Sequence, residues 1–375
     1  MYNIESKITE LIQNGVEIVD PRQVYIAQEV SVDRVRPGAV LYPGTRLTGE
    51  RTFIGTGAKI GTEGPAVISN TVIGAAAKVA SGYLDDTTLL PRASVGANCH
   101  CRGGTLLEEE ASTAHCVGLK QTILMYGVTM GSLINFCDAL LTGGSSRKSH
   151  TEVGSGFIHF NYTPWGATGD KATASLIGTV TEGVFLDKPQ IFLGGMSGIV
   201  GPQSVGFGAM TPAGQVIRHR VGENTMRAER LNEFEREFTH DSSRPSDRHM
   251  DKKRESNVEY MAQLYALIAW YEQVRLRRSE LAEDRELELV YESAVDTIKS
   301  CVAERLKRWN SYAKEWGQRA FDSEIMDAPA PTFDRSVEWK PELDHDQWVW
   351  QLTAAEKTAL HYWLCDCANS VRNRL

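Results

Sequence analysis

The stretch IGTGAKIGTEGPAVISNTVIG, residues 54–74, decides how the N-terminal part of the chain is read. Its aliphatic residues include Ile54, Ile60, Val67/Ile68 and Val72/Ile73, and Ile54, Ile60 and Ile73 are each followed by Gly. An amphipathic helix wants apolar residues at spacings of three and four, and a hairpin sheet wants strict alternation. A recurrence near six fits neither. It fits a parallel β-helix, in which one short strand per repeat points an aliphatic side chain inward and a small residue turns the corner. Three such strands make a triangular coil, and each coil covers the apolar face of the next.

Working outward, the rhythm reaches back through Leu47 and Val40/Leu41 and weakens between Leu84 and Arg92. It resumes at Val95-Gly96 and returns at Val153-Gly154, Ile177-Gly178, Val200-Gly201 and Val205-Gly206. The solenoid is therefore expected over residues 25–222, interrupted by loops near Gly143–Ser149 and Pro164–Ala174. Residues 1–24 read as a short helix and a linker, with Ile8, Leu11 and Ile12 on one helix face and a stop at Asn14-Gly15.

Residues 223–375 read as an all-α extension. Glu223–Phe238 has helical spacing, and Thr239–Ser256 is polar and reads as a mobile linker. Two long antiparallel helices are expected over Asn257–Arg278 and Glu280–Trp316. A last helix, about Thr353 to Arg372, follows the connection at Ala328–Pro331 and is expected to be packed down by Trp348, Trp350 and Trp363. Nothing in this part has metal-ligand or paired-carboxylate spacing, so packing or oligomer contact is its expected role.

Composition narrows the function. The chain has 375 residues and a formal net charge of -8, which argues against a general nucleic-acid binder, since phosphate neutralisation needs a basic face. No apolar run is long enough for a membrane span, and the N-terminus lacks the basic and apolar regions of a signal peptide. Seven cysteines in apolar contexts, or in pairs one residue apart, fit reduced thiols in a cytoplasmic protein. In a strand, Cys99 and Cys101 share a face that His100 leaves, so no metal site is expected there.

Val153-Gly154-Ser-Gly156-Phe-Ile158-His-Phe-Asn161-Tyr162, then a Lys-bearing loop and Leu176-Ile177-Gly178, resembles the Ile-Gly-Ala-Gly-Thr-Ile-Thr-Cys-Asn-Tyr motif of one family. That family is the bacterial bifunctional UDP-N-acetylglucosamine pyrophosphorylase and glucosamine-1-phosphate N-acetyltransferase. The entry Gly15-Val16-Glu-Ile-Val-Asp20-Pro21 is similar to the linker into its left-handed β-helix. The resemblance covers about the first 220 residues and implies a mainly β chain built on a left-handed parallel β-helix. It also implies a homotrimer, because neighbouring chains complete the site in these enzymes. Nothing here looks like the uridylyltransferase half, and the C-terminal helices have no counterpart in the family.

Acyl transfer needs a base beside the nucleophile and a donor for the oxyanion. His115, with Asp138 about one coil later, and His150 and His159 are the candidate bases. The family's catalytic His, counted back from the Asn-Tyr motif, lands near Ser132–Asn135, where no His stands. Asn135 joins the substrate-binding candidates. Asn161 and Tyr162 carry over from the family as sugar contacts; an amide and a phenol suit hydroxyls and a pyranose face. Arg147 and Lys148, in a Gly/Ser-rich loop, suit a phosphate, and Asp170-Lys171 would meet a second phosphate or pair on the surface. The resemblance implies that Gly194, Gly195, Ser197 and Gly208 let the pantetheine arm of acetyl-CoA lie along the edge of the coil. The leading expectation is an acyltransferase acting on a sugar phosphate or nucleotide sugar. The alternative is a catalytically degenerate β-helix that binds a nucleotide sugar or a protein partner and serves as an assembly scaffold.

Overall fold

In the computed structural model, which describes residues 4–162, 170–230, 233, 235, 247–322 and 329–375, short parallel strands wind into a three-faced solenoid. The first face alone carries ten strands, from Glu17–Ile18 to Met210–Thr211. The second and third faces join as one sheet, because strands Gly118–Leu124 and Asn135–Leu141 run round the bend between them. On the second face Leu47, Ile68, Leu84, Cys101, Leu119 and Phe136 align in register and point inward. All are at most 1 % exposed. Removing such a file from water is the main stabilising term, at roughly 25 cal/mol per Å² of apolar surface.

The corners need left-handed backbone. Between the second and third faces it is supplied by Asn70, Asp86, Gln121 and Asp138, with φ of 44°, 48°, 50° and 63°; Asn and Asp accept this region more readily than other non-Gly residues. The corner between the first and second faces uses Cys116, Leu133, Gly156 and Met196.

Several expectations are corrected. The solenoid begins before residue 25, because Glu17–Ile18 already pairs with Val40–Leu41, and bridges from Val205 to Val221 and Met210 to Met226 carry it past residue 222. Glu223–Arg230 is therefore a turn at Glu223-Asn224 followed by non-helical chain; most of the remaining expected helix lies outside the described residues. The coils continue through the stretch of weak repeat as Gly82–Asp85 and Thr87–Leu89. The expected loop at Gly143–Ser149 is a small antiparallel hairpin, Gly144–Ser146 with Ser149–His150.

Helix α1 (Ile4–Gln13) caps the start of the coil, with Ile8 and Leu11 buried. A single turn, α2 (Val180–Gly183), sits within the solenoid. The C-terminal helices are α3 (Asp247–Trp270), α4 (Leu276–Leu281), α5 (Arg285–Trp316), α6 (His345–Gln351) and α7 (Ala354–Arg372). Asp247–Ser256, read as linker, is the first part of α3. Between α3 and α4 the helix widens into a π segment at Tyr271–Arg275. Asp284 caps α5 by accepting from the Leu287 N–H, Gly317 ends it in the left-handed region, and Thr353 and Glu356 form a capping box on α7.

These helices cover the third face. There the outward residues are apolar as well: Phe53, Val72, Leu106, Ile123 and Leu140 share one core with Met261, Leu264, Val290 and Ile298. Among the described residues, four buried ion pairs cross the seam: Arg305 with Asp138 at 2.7 Å, Arg275 with Glu109 at 2.7 Å and with Glu108 at 3.3 Å, and Lys253 with Asp170. Trp348 and Trp363 are buried as expected, but Trp350 is 44 % exposed and donates its indole N–H to the Ser145 carbonyl in the hairpin. No helix among the described residues is long and apolar enough to cross a membrane.

Candidate functional site

Among the described residues no helix covers the middle of the second face, and its outward residues form two files. Along strands Gly82–Asp85, Cys99–Arg102, Gly118–Leu124 and Asn135–Leu141 the register aligns Tyr83, His100, Gly118 and Asn135. Two residues on, it aligns Arg102, Lys120 and Cys137. Inward Cys101, Leu119 and Phe136 force these neighbours outward by strand alternation. The Arg102 guanidinium reaches up the face to the Cys137 thiol. Burial raises the pKa of that thiol, the nearby Asp138 charge raises it further, and Arg102 opposes both.

At the corner entering this face, His115, Ser132 and Ser155 stack in successive coils. Leu133 donates its N–H to the His115 carbonyl, Gly156 to Ser132, and Met196 to Ser155. His115 Nδ1 lies 2.9 Å from Ser132 Oγ, and the Ser132 N–H donates to Ser155 Oγ at 3.1 Å. The backbones pass closely here: a Cβ on Gly154 would stand 2.4 Å from the Gly195 nitrogen. Gly194 and Gly195 occupy this same corner, and Ser197 starts the next face, accepting from the Gln215 N–H while donating to the Gly195 carbonyl. Gly208 lies instead on the edge between the third and first faces.

The three histidines do not converge. His150 sits at the hairpin, on the edge between the third and first faces, with Nδ1 3.0 Å from the Arg147 carbonyl oxygen. His159 points into the solenoid, 2 % exposed. It is stacked on Phe136, with Nε2 2.8 Å from Ser175 Oγ. Burial pushes its pKa down to about 4, against the smaller opposing effect of Asp138. A neutral, enclosed imidazole serves the core.

Asp138 stands at the opposite edge of the second face from His115 and is committed to Arg305 and to the Asn161 side-chain amide, which donates to it at 3.0 Å. Asn161 therefore braces the seam. Tyr162 is exposed, with Lys171 Nζ 6.0 Å from its ring centroid; residues 163–169 lie outside the described residues. Asp170 is buried against Lys253, which overturns both the phosphate and the surface-pair readings for it. Arg147 donates to the Glu110 carbonyl at 2.9 Å, while Lys148 stands at the exposed hairpin tip. Cys99 and Cys101 are buried and His100 faces out.

Larger hollows lie elsewhere. One of about 530 Å³ separates the solenoid from α4, α5 and the 341–345 segment. Its cations are already bonded, Arg92 to Glu110 and Asp344, and Arg278 to the Trp339, Lys340 and Leu343 carbonyls. A second, of about 810 Å³, lies beside α1. Neither contains His115, Ser132, Arg102 or Lys120. Arg102, Lys120 and Ser132 were missed from sequence. Arg102 and Lys120 follow inward residues by one, so alternation combined with coil register was the signal that marks them.

Comparison with known proteins turns up bifunctional GlmU proteins. The chain is 28% identical over 229 residues to GlmU of Pelobacter propionicus, which spans 61% of this chain and 44% of that protein. It is 28% identical over 207 residues to GlmU of Nocardia farcinica, covering 55% and 36%.

The chain is a sequence relative of GlmU.

It spans less than half the length of these GlmU proteins, and no family model matches. Among solved structures, UDP-N-acetylglucosamine O-acyltransferase (LpxA) of Moraxella catarrhalis aligns over 76% of this chain and 95% of that chain, at 13% identity and a TM-score of 0.24. A Bacillus cereus putative acetyltransferase aligns over 65% and 93%, at 15% identity and a TM-score of 0.12.

Proposed function

We propose that this chain is a hexapeptide-repeat acyltransferase acting on a sugar phosphate or nucleotide sugar, with acetyl-CoA as donor. The observation that carries the reading is the His115–Ser132 contact at 2.9 Å, on the corner that opens onto the Arg102–Lys120 file. With Nδ1–H donated to Ser132 Oγ, the imidazole is held in the tautomer whose Nε2 is free to accept a proton. The acceptor amine or hydroxyl attacks the thioester carbonyl and gives its proton to Nε2. The carbon–sulfur bond breaks, and the departing thiolate takes that proton back. Lys120 and Arg102 would hold the phosphate, and Asn135 would hydrogen-bond the sugar. The corner at Gly194, Gly195 and Ser197 would take the pantetheine arm. The face is open, which supports a homotrimer in which a neighbouring solenoid encloses the site, in a cytoplasmic protein.

Acetyl-CoA turnover with glucosamine-1-phosphate tests this. His115→Ala is expected to lower kcat by roughly 10²-fold or more, the range of general-base catalysis. Undiminished turnover in that variant would remove His115 from the chemistry. Thermal stabilisation by UDP-N-acetylglucosamine, with none from acetyl-CoA at any concentration, would instead favour a binding scaffold.

A further inference from the structure

Beside and below the cations, the second face continues as a strip that a sugar phosphate alone would not fill. Tyr83 and His100 stand in register one coil apart, both outward, with ring centroids 5.2 Å apart and planes tilted by 39°. In the same outward file, the positions after Tyr83 and His100 are Gly118 and Asn135. Asp85, one residue past the Leu84–Cys101 pair, occupies the coil below Arg102 in the second file. Coil by coil up the face, Tyr83 and Asp85 are followed by His100 and Arg102, then by His115 and Lys120, and then by Ser132 and Asn135.

We infer that the acceptor is a nucleoside diphosphate sugar, with its base on the Tyr83–His100 platform. This rests on the function proposed above. The ring faces take the base by stacking, which every nucleobase allows. The Asp85 carboxylate accepts from ribose hydroxyls, a pairing that ribose sites favour. Arg102 and Lys120 leave adjacent strands, about 4.8 Å apart in backbone spacing, and the Arg102 guanidinium extends up to the Cys137 thiol, so the two cations would neutralise adjacent phosphates. The sugar then reaches Asn135, Ser132 and His115. From Tyr83 to Asn135 the strip spans three coil steps, about 14 Å, which suits an extended ligand with a base at one end and a sugar at the other. Gly118, lying between His100 and Asn135, keeps the middle of the strip low.

Calorimetric titration of the full chain with UDP-N-acetylglucosamine and with N-acetylglucosamine-1-phosphate is the test. The nucleotide sugar is expected to bind at least tenfold more tightly. Tyr83→Ala should weaken the nucleotide sugar by roughly tenfold, the scale of one stacked base, and leave the sugar phosphate unchanged; Tyr83→Phe should restore binding. Unchanged nucleotide-sugar affinity in Tyr83→Ala would overturn the inference, as would equal weakening of both ligands. If sugar-phosphate binding is lost in Lys120→Ala while Tyr83→Ala matches the parent, this inference alone fails. If the parent chain binds neither ligand, the proposed function fails with it.

Discussion

The second and third faces are built from the same repeat, yet among the described residues the middle of one carries no helix and the other lies under the C-terminal helices. The difference is in the outward residues. On the second face they are Tyr83, His100, Arg102, Lys120 and Asn135, set against inward Leu84, Cys101, Leu119 and Phe136. On the third face strands such as Thr105–Leu107 are buried on both sides. A strand with two apolar sides must be covered twice, and α3–α7 supply the second cover. A solenoid can thus give one side to stability and keep another for ligand chemistry, without either constraining the other's side chains.

The sharpest way to break this contrast is at the seam. Arg305→Met leaves Asp138 buried without its cation and should cost about 3–5 kcal/mol in denaturant unfolding. Adding Asp138→Asn should recover much of the loss, because Asn keeps the left-handed corner. A single-variant cost below about 1 kcal/mol, the level of an exposed pair, would show that the seam is wet.

Next come matched truncations of outward residues. Leu106→Ala on the covered face is expected to destabilise by about 2–5 kcal/mol. Lys120→Ala on the bare face should stay within about 0.5 kcal/mol while weakening phosphate binding. Equal costs would erase the distinction between the two faces.

An effect confined to acid pH is set by His159. Its folded pKa lies near 4, below the ordinary value of about 6.5, so the fold favours the neutral ring. That stability is complete above about pH 6.5, where both states are neutral, and it is lost as pH falls toward 4, because only the unfolded chain takes the proton. The total is on the order of 3 kcal/mol at 1.36 kcal/mol per unit. His159→Phe should flatten the pH dependence of stability across this window. An unaltered slope would assign the acid sensitivity to other groups.

Much of the solenoid was legible because its information is local. Ile54-Gly55 and Ile60-Gly61 specify an inward strand and a turn within six residues, and stacking adds only repetition. The rhythm faded near Leu84–Arg92, where Thr87–Leu89 faces both the coil interior and α5, so inward and outward residues no longer contrast. The corner position of His115 could be placed by counting coils. Its contact with Ser132 could not, since a motif search expects a His where this chain has Ser. Asp138, Asn161 and Asp170 read as site residues because polar groups interrupting an apolar pattern look functional. Asp138 and Asp170 instead neutralise Arg305 and Lys253, which arrive from helices far along the chain, and Asn161 donates its amide to Asp138.

Taken alone, the amino-acid order determined the coiled β architecture, the capped C-terminal helices and the relation to GlmU, since each is written in neighbours a few residues apart. Only the tertiary structure decided which polar groups meet. Arg305 finds Asp138 across 167 residues, and the charge of a buried carboxylate is satisfied by what the fold brings beside it, which no local spacing records.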